Sequence, residues 1–354
     1  MKALFDPVKL GDLNLQNRII MAPMTRDRAG PDDVPNDIMV QYYAQRASAG
    51  MIITEGTQPN RAGKGYWRTP GIHSDAQVAG WARVADAVHA RGGLIAMQIM
   101  HCGRVVVEAN RGFEADIIAP SALNCPDKVP GPDGVPAETA APRELSAKEL
   151  PALAQEFAQA AVNARKAGMD MVELHCATGY LINQFLNPAS NQRGDEFGGS
   201  PENRIRFPLM VLKAMADAIG SGRVGFRIAP GNPYNGMDVS DPWADFIPFL
   251  QGASALNLAY VHVIDMGKDC PDTLAKVRAA YSGKIIANNM LKGDSGAALL
   301  DSGAAQAIAF GRAFIANPDL VERLQAGAPL AKPDYKVLYT GEENGYTDYS
   351  NMVS

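Results

Sequence analysis

Met169-Asp170-Met171-Val172-Glu173-Leu174, followed by His175-Cys176-Ala177-Thr178-Gly179-Tyr180, is the stretch on which the reading of this chain turns. The first six residues form a short apolar run, as expected of a buried strand. The next six place a His at the strand's C-terminal end, then a tight turn that presents a Tyr. A hydrogen-bond donor and a proton source would thereby share one pocket.

The same pattern recurs on both sides of this stretch. Short apolar runs, closed by Gly, Pro, Asn or His, lie at Arg18–Ala22, Met51–Thr54, Leu94–Ile99, Met171–Leu174, Val224–Ile228, Tyr260–Ile264, Lys284–Ala287 and Ala307–Phe310. Longer amphipathic stretches separate them: Asp75–Ala90, Ser146–Ala167, Pro201–Ile219, Pro242–Gln251, Asp294–Leu300 and Asp319–Leu324. Ser146 with Glu149 reads as a capping box, and Ala167-Gly168 as the stop of that helix. Strands alternating with helices in this way predict an α/β chain folded as a single (β/α)8 TIM barrel over residues 1–354. The first dozen residues are expected to form a short N-terminal lid under the barrel. Residues 102–145, with Pro130-Gly131-Pro132-Asp133-Gly134 inside, are a long capping excursion after the third strand.

Composition narrows the class. The chain has 354 residues, 47% hydrophobic and 20% charged, an ordinary globular balance with enough apolar residues for a large core. A net charge of −5 gives no argument for nucleic acid or an anionic membrane. Cys102, Cys125, Cys176 and Cys270 show no paired spacing and read as reduced thiols of a cytoplasmic protein. No second His or carboxylate stands at metal spacing from His175, so no metal site is expected.

In a barrel of this kind the active site gathers at the C-terminal strand ends. There the sequence offers Pro23-Met24-Thr25-Arg26, Glu55-Gly56-Thr57-Gln58, Gln98 with His101-Cys102-Gly103-Arg104, His175 with Thr178 and Tyr180, Arg227, Asn288-Asn289, and Gly311-Arg312. Arg227, Asn289, Gly311 and Arg312 form a candidate phosphate subsite: Gly permits close backbone approach and Arg adds a forked cation. A rim ion pair is the plainer alternative. Thr25 and Gln98 could hydrogen-bond the edge of a flat heterocycle, or simply be satisfied buried polar groups. Tyr180 is a phenol protonated at neutral pH and suited to general acid work, or a packing residue with a polar handle.

Several of these residues lie in blocks that together resemble the Old Yellow Enzyme family of FMN-dependent ene-reductases. The blocks are Leu4–Gly11, Asn17–Arg26, Thr54–Gln58, Gln98–Arg104, Gly179–Leu186, Asn191–Arg204, Phe310–Leu320 and Gly345–Tyr349. The resemblance implies FMN at the barrel mouth, with Pro23, Met24, Thr25, Gly56 and Gln98 facing the isoalloxazine. It puts Arg227 at the flavin and ribityl region, and Asn289, Gly311 and Arg312 at the phosphate. It gives His175 the substrate's activating oxygen as well as contact with the cofactor, and Tyr180 the proton for Cα. Tyr66, Met100 and Tyr346 would line the substrate pocket. NADPH or NADH would be the reductant, an activated alkene the substrate, and the protein a monomer or homodimer. Thr178 stands where the family usually has Asn or His, Met100 where many relatives have Trp, and Asn288-Asn289 where a Gly pair is usual. Besides ene reduction of enones, enals, maleimides or nitroalkenes, the sequence leaves open a specialised flavoenzyme that isomerises or dehydrogenates one biosynthetic substrate. A flavin-free phosphosugar barrel and a non-catalytic flavin binder are further alternatives.

Overall fold

The computed structural model describes residues 1–352. Eight parallel strands close into a barrel in chain order: Ile19–Met21, Met51–Ile53, Ile95–Ile99, Met171–His175, Val224–Ile228, Tyr260–Ile264, Ile285–Asn288 and Ala307–Phe310. The first strand pairs with both the second and the eighth. This is the TIM barrel that the alternating runs predict. His175 and Asn288 are the final residues of their strands, one position beyond the apolar runs.

Side chains alternate between the two faces of each strand. Ile19, Ile52, Met97, Val172, Leu174, Phe226, Val261 and Ile308 face outward into the cluster that buries the helices. Ile20, Met51, Ile53, Ala96, Met171, Tyr260, Ile286 and Ala307 face inward and fill the barrel's lower interior. Gly225 leaves room for the Tyr260 ring, to which an added Cβ would come within 2.4 Å. Two residues further along the same strands, on the same inward face, stand Gln98, Glu173, Arg227, His262 and Asn288. The barrel interior therefore changes from apolar to polar toward its C-terminal end, and the chemistry sits there.

The N-terminal segment forms an antiparallel hairpin, Val8–Leu10 with Leu13–Leu15. Leu10 and Leu15 join the interior apolar cluster and close the barrel from below. The helices depart from the sequence pattern in detail. The third long helix runs Leu150–Lys166, not from Ser146. Only half of the expected capping box forms: the Glu149 carboxylate accepts the Ser146 N–H at 2.8 Å, but the Ser146 hydroxyl donates to Glu149 instead of capping a backbone amide. Arg143 also binds that carboxylate and competes for it. The stretch 201–219 divides into Pro201–Arg204 and Arg206–Ile219. Among the described residues no helix is long and apolar enough to cross a membrane.

The excursion over 102–145 holds two short strand pairs, Ile118–Ala119 with Arg143–Glu144 and Val129–Pro130 with Pro136–Ala137. Its underside is an apolar cluster of Met100, Cys102, Val105, Val106, Ile117, Cys125 and Val129, packed against Tyr66 and Tyr180. Arg104 binds the Asn235 carbonyl at 3.1 Å, and the Asn235 amide binds the Thr178 carbonyl at 2.8 Å. The cap is thus tied to the turn after the fourth strand.

Candidate active site

His175 ends its strand beside Arg227, its register partner on the next strand. The His175 Nδ1 accepts the Ala177 N–H at 3.2 Å, which assigns the ring proton to Nε2. Burial, then Arg227 and His262, hold the imidazole pKa well below its ordinary value, so the ring is neutral and Nε2–H is a donor. Thr178 Oγ1 lies 3.5 Å from that nitrogen. The Tyr180 ring meets the His175 ring edge-on with centroids 5.0 Å apart. Burial drives the Tyr180 phenol well above its ordinary pKa and keeps it protonated. The structure therefore brings His175, Thr178 and Tyr180 together, as the turn sequence implied.

Beneath them the inward polar layer is internally paired. Gln98 Nε2 donates to Glu173 Oε1 at 2.8 Å, and His262 Nδ1 lies 2.9 Å from Glu173 Oε2. Burial pushes the Glu173 carboxyl up, but His262, Arg227 and Gln98 outweigh it and hold the pKa below the usual value. Burial lowers the His262 pKa against the opposing pull of Glu173. Arg227 supplies the compensating cation. Sequence reasoning passed over Glu173 and His262, although their polar side chains inside apolar strand runs are the signal that marks them.

Beside this layer opens a cavity of about 400 Å³, lined by Pro23, Met24, Arg227, Asn288, Asn289, Gly311 and Arg312 among others. Arg227 Nη2 donates to Asn288 Oδ1 at 2.8 Å, while its buried Nε has no partner among the described residues. Asn288 was expected only as a rim residue; it is what steers the Arg227 fork. An added Cβ on Gly311 would make only ordinary contacts, with Met24 Sδ at 3.4 Å, Met24 Cγ at 3.9 Å and Ala22 Cβ at 4.0 Å. Arg312 is exposed at the far end, 3.4 Å from Met290 Sδ. An orphaned guanidinium nitrogen at one end, an open glycine and an exposed arginine at the other fit a ligand with a polar ring and a terminal phosphate. Asn289 lines the cavity, but its amide is spent on the Asp265 carbonyl at 2.8 Å.

Thr25, Gly56, Tyr66 and Tyr346 complete the expected set. Thr25 is half-buried, two residues on from Pro23 and next to Met24. Gly56 lies under Met100, whose Sδ would be 2.7 Å from an added Cβ. Tyr66 reaches Tyr180, oxygen to oxygen, at 2.9 Å. Tyr346 is the exception. It is fully buried, stacked on Tyr42 with ring centroids 4.0 Å apart and flanked by Arg26 and Arg28 at 5.1 and 5.0 Å. It anchors the C-terminal segment and does not line the pocket. Tyr234 and Tyr339, which sequence reasoning missed, add to the rise of the Tyr180 pKa after burial and Cys102. Tyr234 follows the fifth strand in a turn-rich stretch, the signal used elsewhere on the rim. Tyr339 sits in a stretch with no period to read.

Comparison with known proteins gives a consistent answer. Residues 3–331 match the NADH:flavin oxidoreductase / NADH oxidase family. The chain is 41% identical over 360 residues to a probable flavin mononucleotide-dependent alkene reductase of Leishmania infantum, covering 99% of this chain and 97% of that one. It is 38% identical over 365 residues to 12-oxophytodienoate reductase 2 of Arabidopsis thaliana, covering 99% and 96%. Among solved structures, morphinone reductase in complex with tetrahydroNAD superposes with a TM-score of 0.94 at 43% identity, covering 99% and 98%. The old yellow enzyme homologue from Zymomonas mobilis does so with 0.94 at 41%, covering 98% and 99%.

Proposed function

The chain belongs to the NADH:flavin oxidoreductase / NADH oxidase family, the Old Yellow Enzymes, and on that premise we propose that it reduces the carbon–carbon double bond of electron-poor alkenes such as enones, enals, maleimides and nitroalkenes. It is an FMN oxidoreductase that draws on a reduced nicotinamide. Pro23, Met24, Thr25, Gly56, Gln98 and Arg227 would hold the ring system of FMN, and Gly311 and Arg312 its phosphate, with Asn289 shaping that end. When bound, FMN supplies hydride transfer.

The observation that carries the reading is the commitment of His175 Nδ1 to the Ala177 amide, which leaves Nε2–H free as a neutral, buried donor beside a protonated Tyr180. As the double bond is reduced, negative charge collects on the activating carbonyl or nitro oxygen. A donor already oriented in a low-dielectric site stabilises that charge without reorganisation. Thr178 Oγ1 offers a second, shorter-reaching donor to the same oxygen. Tyr180 delivers its phenolic proton to Cα. Met100 and Tyr66 shape the substrate side.

Mixing the reduced protein anaerobically with a panel of electron-poor alkenes tests the reading. Flavin reoxidation by enones is expected, and its slowing in Tyr180→Phe, with nicotinamide oxidation retained, assigns the proton. Reoxidation by none of the panel sinks the proposal.

A further inference from the structure

Arg227 is the buried cation of the cavity that the proposed function gives to FMN, and its direction is fixed from outside its own strand. Its register partners are His175 on the fourth strand and His262 on the sixth. The guanidinium reaches past the sixth strand to the end of the seventh, where Nη2 donates to Asn288 Oδ1 at 2.8 Å. Neighbouring strands lie about 5 Å apart, so this reach spans about 10 Å along the sheet and takes a side chain as long as arginine's. Asn288 is itself pinned: its Nδ2 donates to the carbonyl of Ala309, its register partner on the eighth strand, at 2.7 Å. A carbonyl can only accept and a guanidinium can only donate, so one orientation of the amide serves both. Arg227 and Asn288 are both buried and both line the cavity, yet the buried Arg227 Nε has no partner among the described residues. The Gly usual at this place in the Old Yellow Enzyme pattern has no side chain to form this latch.

We propose that Asn288 is a positioning residue for the cofactor: it holds the Arg227 guanidinium in the cavity before FMN enters, and so sets the affinity for FMN and the potential of the bound flavin. The premise is the reading of the cavity as the FMN site. A group already held where the ligand needs it loses little freedom on binding, so the latch strengthens binding. Two-electron reduction puts negative charge on the flavin ring, and a fixed cation beside the ring favours the reduced form. The competing pull on Arg227 comes from Glu173, two residues before His175 on the same inward face. Without the Asn288 amide the guanidinium is free to turn toward that carboxylate, and the cavity loses part of its positive charge.

Asn288→Ala tests this on the FMN-loaded protein. Flavin fluorescence released on dilution gives the affinity, equilibration with a redox dye gives the midpoint potential, and a thermal melt gives the stability. FMN is expected to bind about tenfold more weakly. The ratio of reduced to oxidised flavin at a fixed potential should fall about tenfold, a drop of about 30 mV for a two-electron couple. Arg227→Lys supplies a second background, because it keeps a cation beside Glu173 without the Nη2 fork. There Asn288→Ala should change affinity and potential by less than about twofold, since the residue acts through Arg227. An unmoved affinity, or an unmoved or raised potential, in Asn288→Ala overturns the proposal even if its melting temperature falls, because a residue that only braces the strand end would give that result. Equal losses in both backgrounds overturn it as well. If Arg227→Lys and Arg312→Ala both keep full FMN affinity, the cavity is not the cofactor site, and the premise falls instead.

Discussion

Thr178 Oγ1 lies 3.5 Å from His175 Nε2, and a backbone φ of +53° is what puts it there. That left-handed conformation suits Gly and Asn and costs a β-branched residue more. The second donor of the site therefore sits on a strained residue, although its turn is fastened by the Asn235 amide on the Thr178 carbonyl.

Thr178→Asn should act twice. The left-handed backbone becomes cheaper, so thermal stability should rise, by about 1 kcal/mol at most. The longer amide should also strengthen binding of phenolic or carbonyl ligands by roughly two- to tenfold, the worth of one neutral hydrogen bond. Titrating p-hydroxybenzaldehyde against the flavin absorbance of both proteins measures the second effect. Identical dissociation constants would show that residue 178 does not touch the ligand.

Arg312→Ala should weaken FMN retention. Arg312 is exposed and bonded only to Met290 Sδ, so its fork is free for a phosphate. A charge-assisted hydrogen bond is worth about 1.5–3 kcal/mol, which predicts roughly ten- to hundredfold weaker binding. Flavin fluorescence on dilution or dialysis reads this directly, and a variant that purifies with full FMN and unchanged affinity would remove Arg312 from the phosphate site.

Asn289 and Met290 carry positive φ angles of 99° and 54° in the loop after the seventh strand. The positions that call for glycine are thus 289 and 290, while Asn288 is the last residue of the strand. Met290→Gly should relieve strain worth about 1 kcal/mol and shift the unfolding midpoint up by roughly 1–3 °C, whereas a glycine at 289 would also lose the bond of Asn289 to the Asp265 carbonyl. Replacing Asn288 instead should cost stability, since its side chain bonds both Arg227 and the Ala309 carbonyl. Parallel thermal melts of the two variants decide it.

Stability should fall as pH rises from about 6.5 to 8, above the range in which His101, His175 and His262, held below their ordinary pKa by burial, add stability with rising pH. Burial, then the neighbouring Glu55, raises Asp27 to about 8, and burial raises Glu55 to about 7. Below the unfolded pKa both acids are protonated in either state, so folding carries no penalty. Above it the unfolded chain ionises first, and stability is lost until the folded pKa is passed. Asp27 Oδ1 has no hydrogen-bond partner, so Asp27→Asn should remove much of this slope, on the order of 2 kcal/mol. Denaturant midpoints at about pH 6.5 and about pH 8 check it; equal slopes in both proteins would acquit Asp27.

The strand runs, the fold class and the clustering of His175, Thr178 and Tyr180 were legible in the sequence because they depend on near neighbours. A strand buried on both faces must be apolar throughout, and a turn of six residues keeps its own side chains together. Gln98 and Arg227 were legible as strand-end residues; the alternation seen in the folded strands is what turns both to the inward face. What lay outside reach was the identity of partners distant in the chain. Tyr346 and Tyr339 belong to the same C-terminal segment, yet one is locked between Arg26, Arg28 and Tyr42 while the other lies near Tyr180. That choice follows from the Arg26 and Arg28 guanidiniums, which bind the carbonyls of Val337, Leu338 and Gly345 and fix how the segment lies on the barrel. Likewise Ser146 with Glu149 has a capping sequence, but the Ser146 hydroxyl turns to the Glu149 carboxylate, which Arg143 shares, and the helix begins a turn later. The sequence by itself determined the barrel and the chemistry of its fourth strand end, through local period and turn geometry. Only the tertiary structure decided which loop side chains meet above that end, because their positions are set by contacts across tens to hundreds of residues that no local pattern encodes.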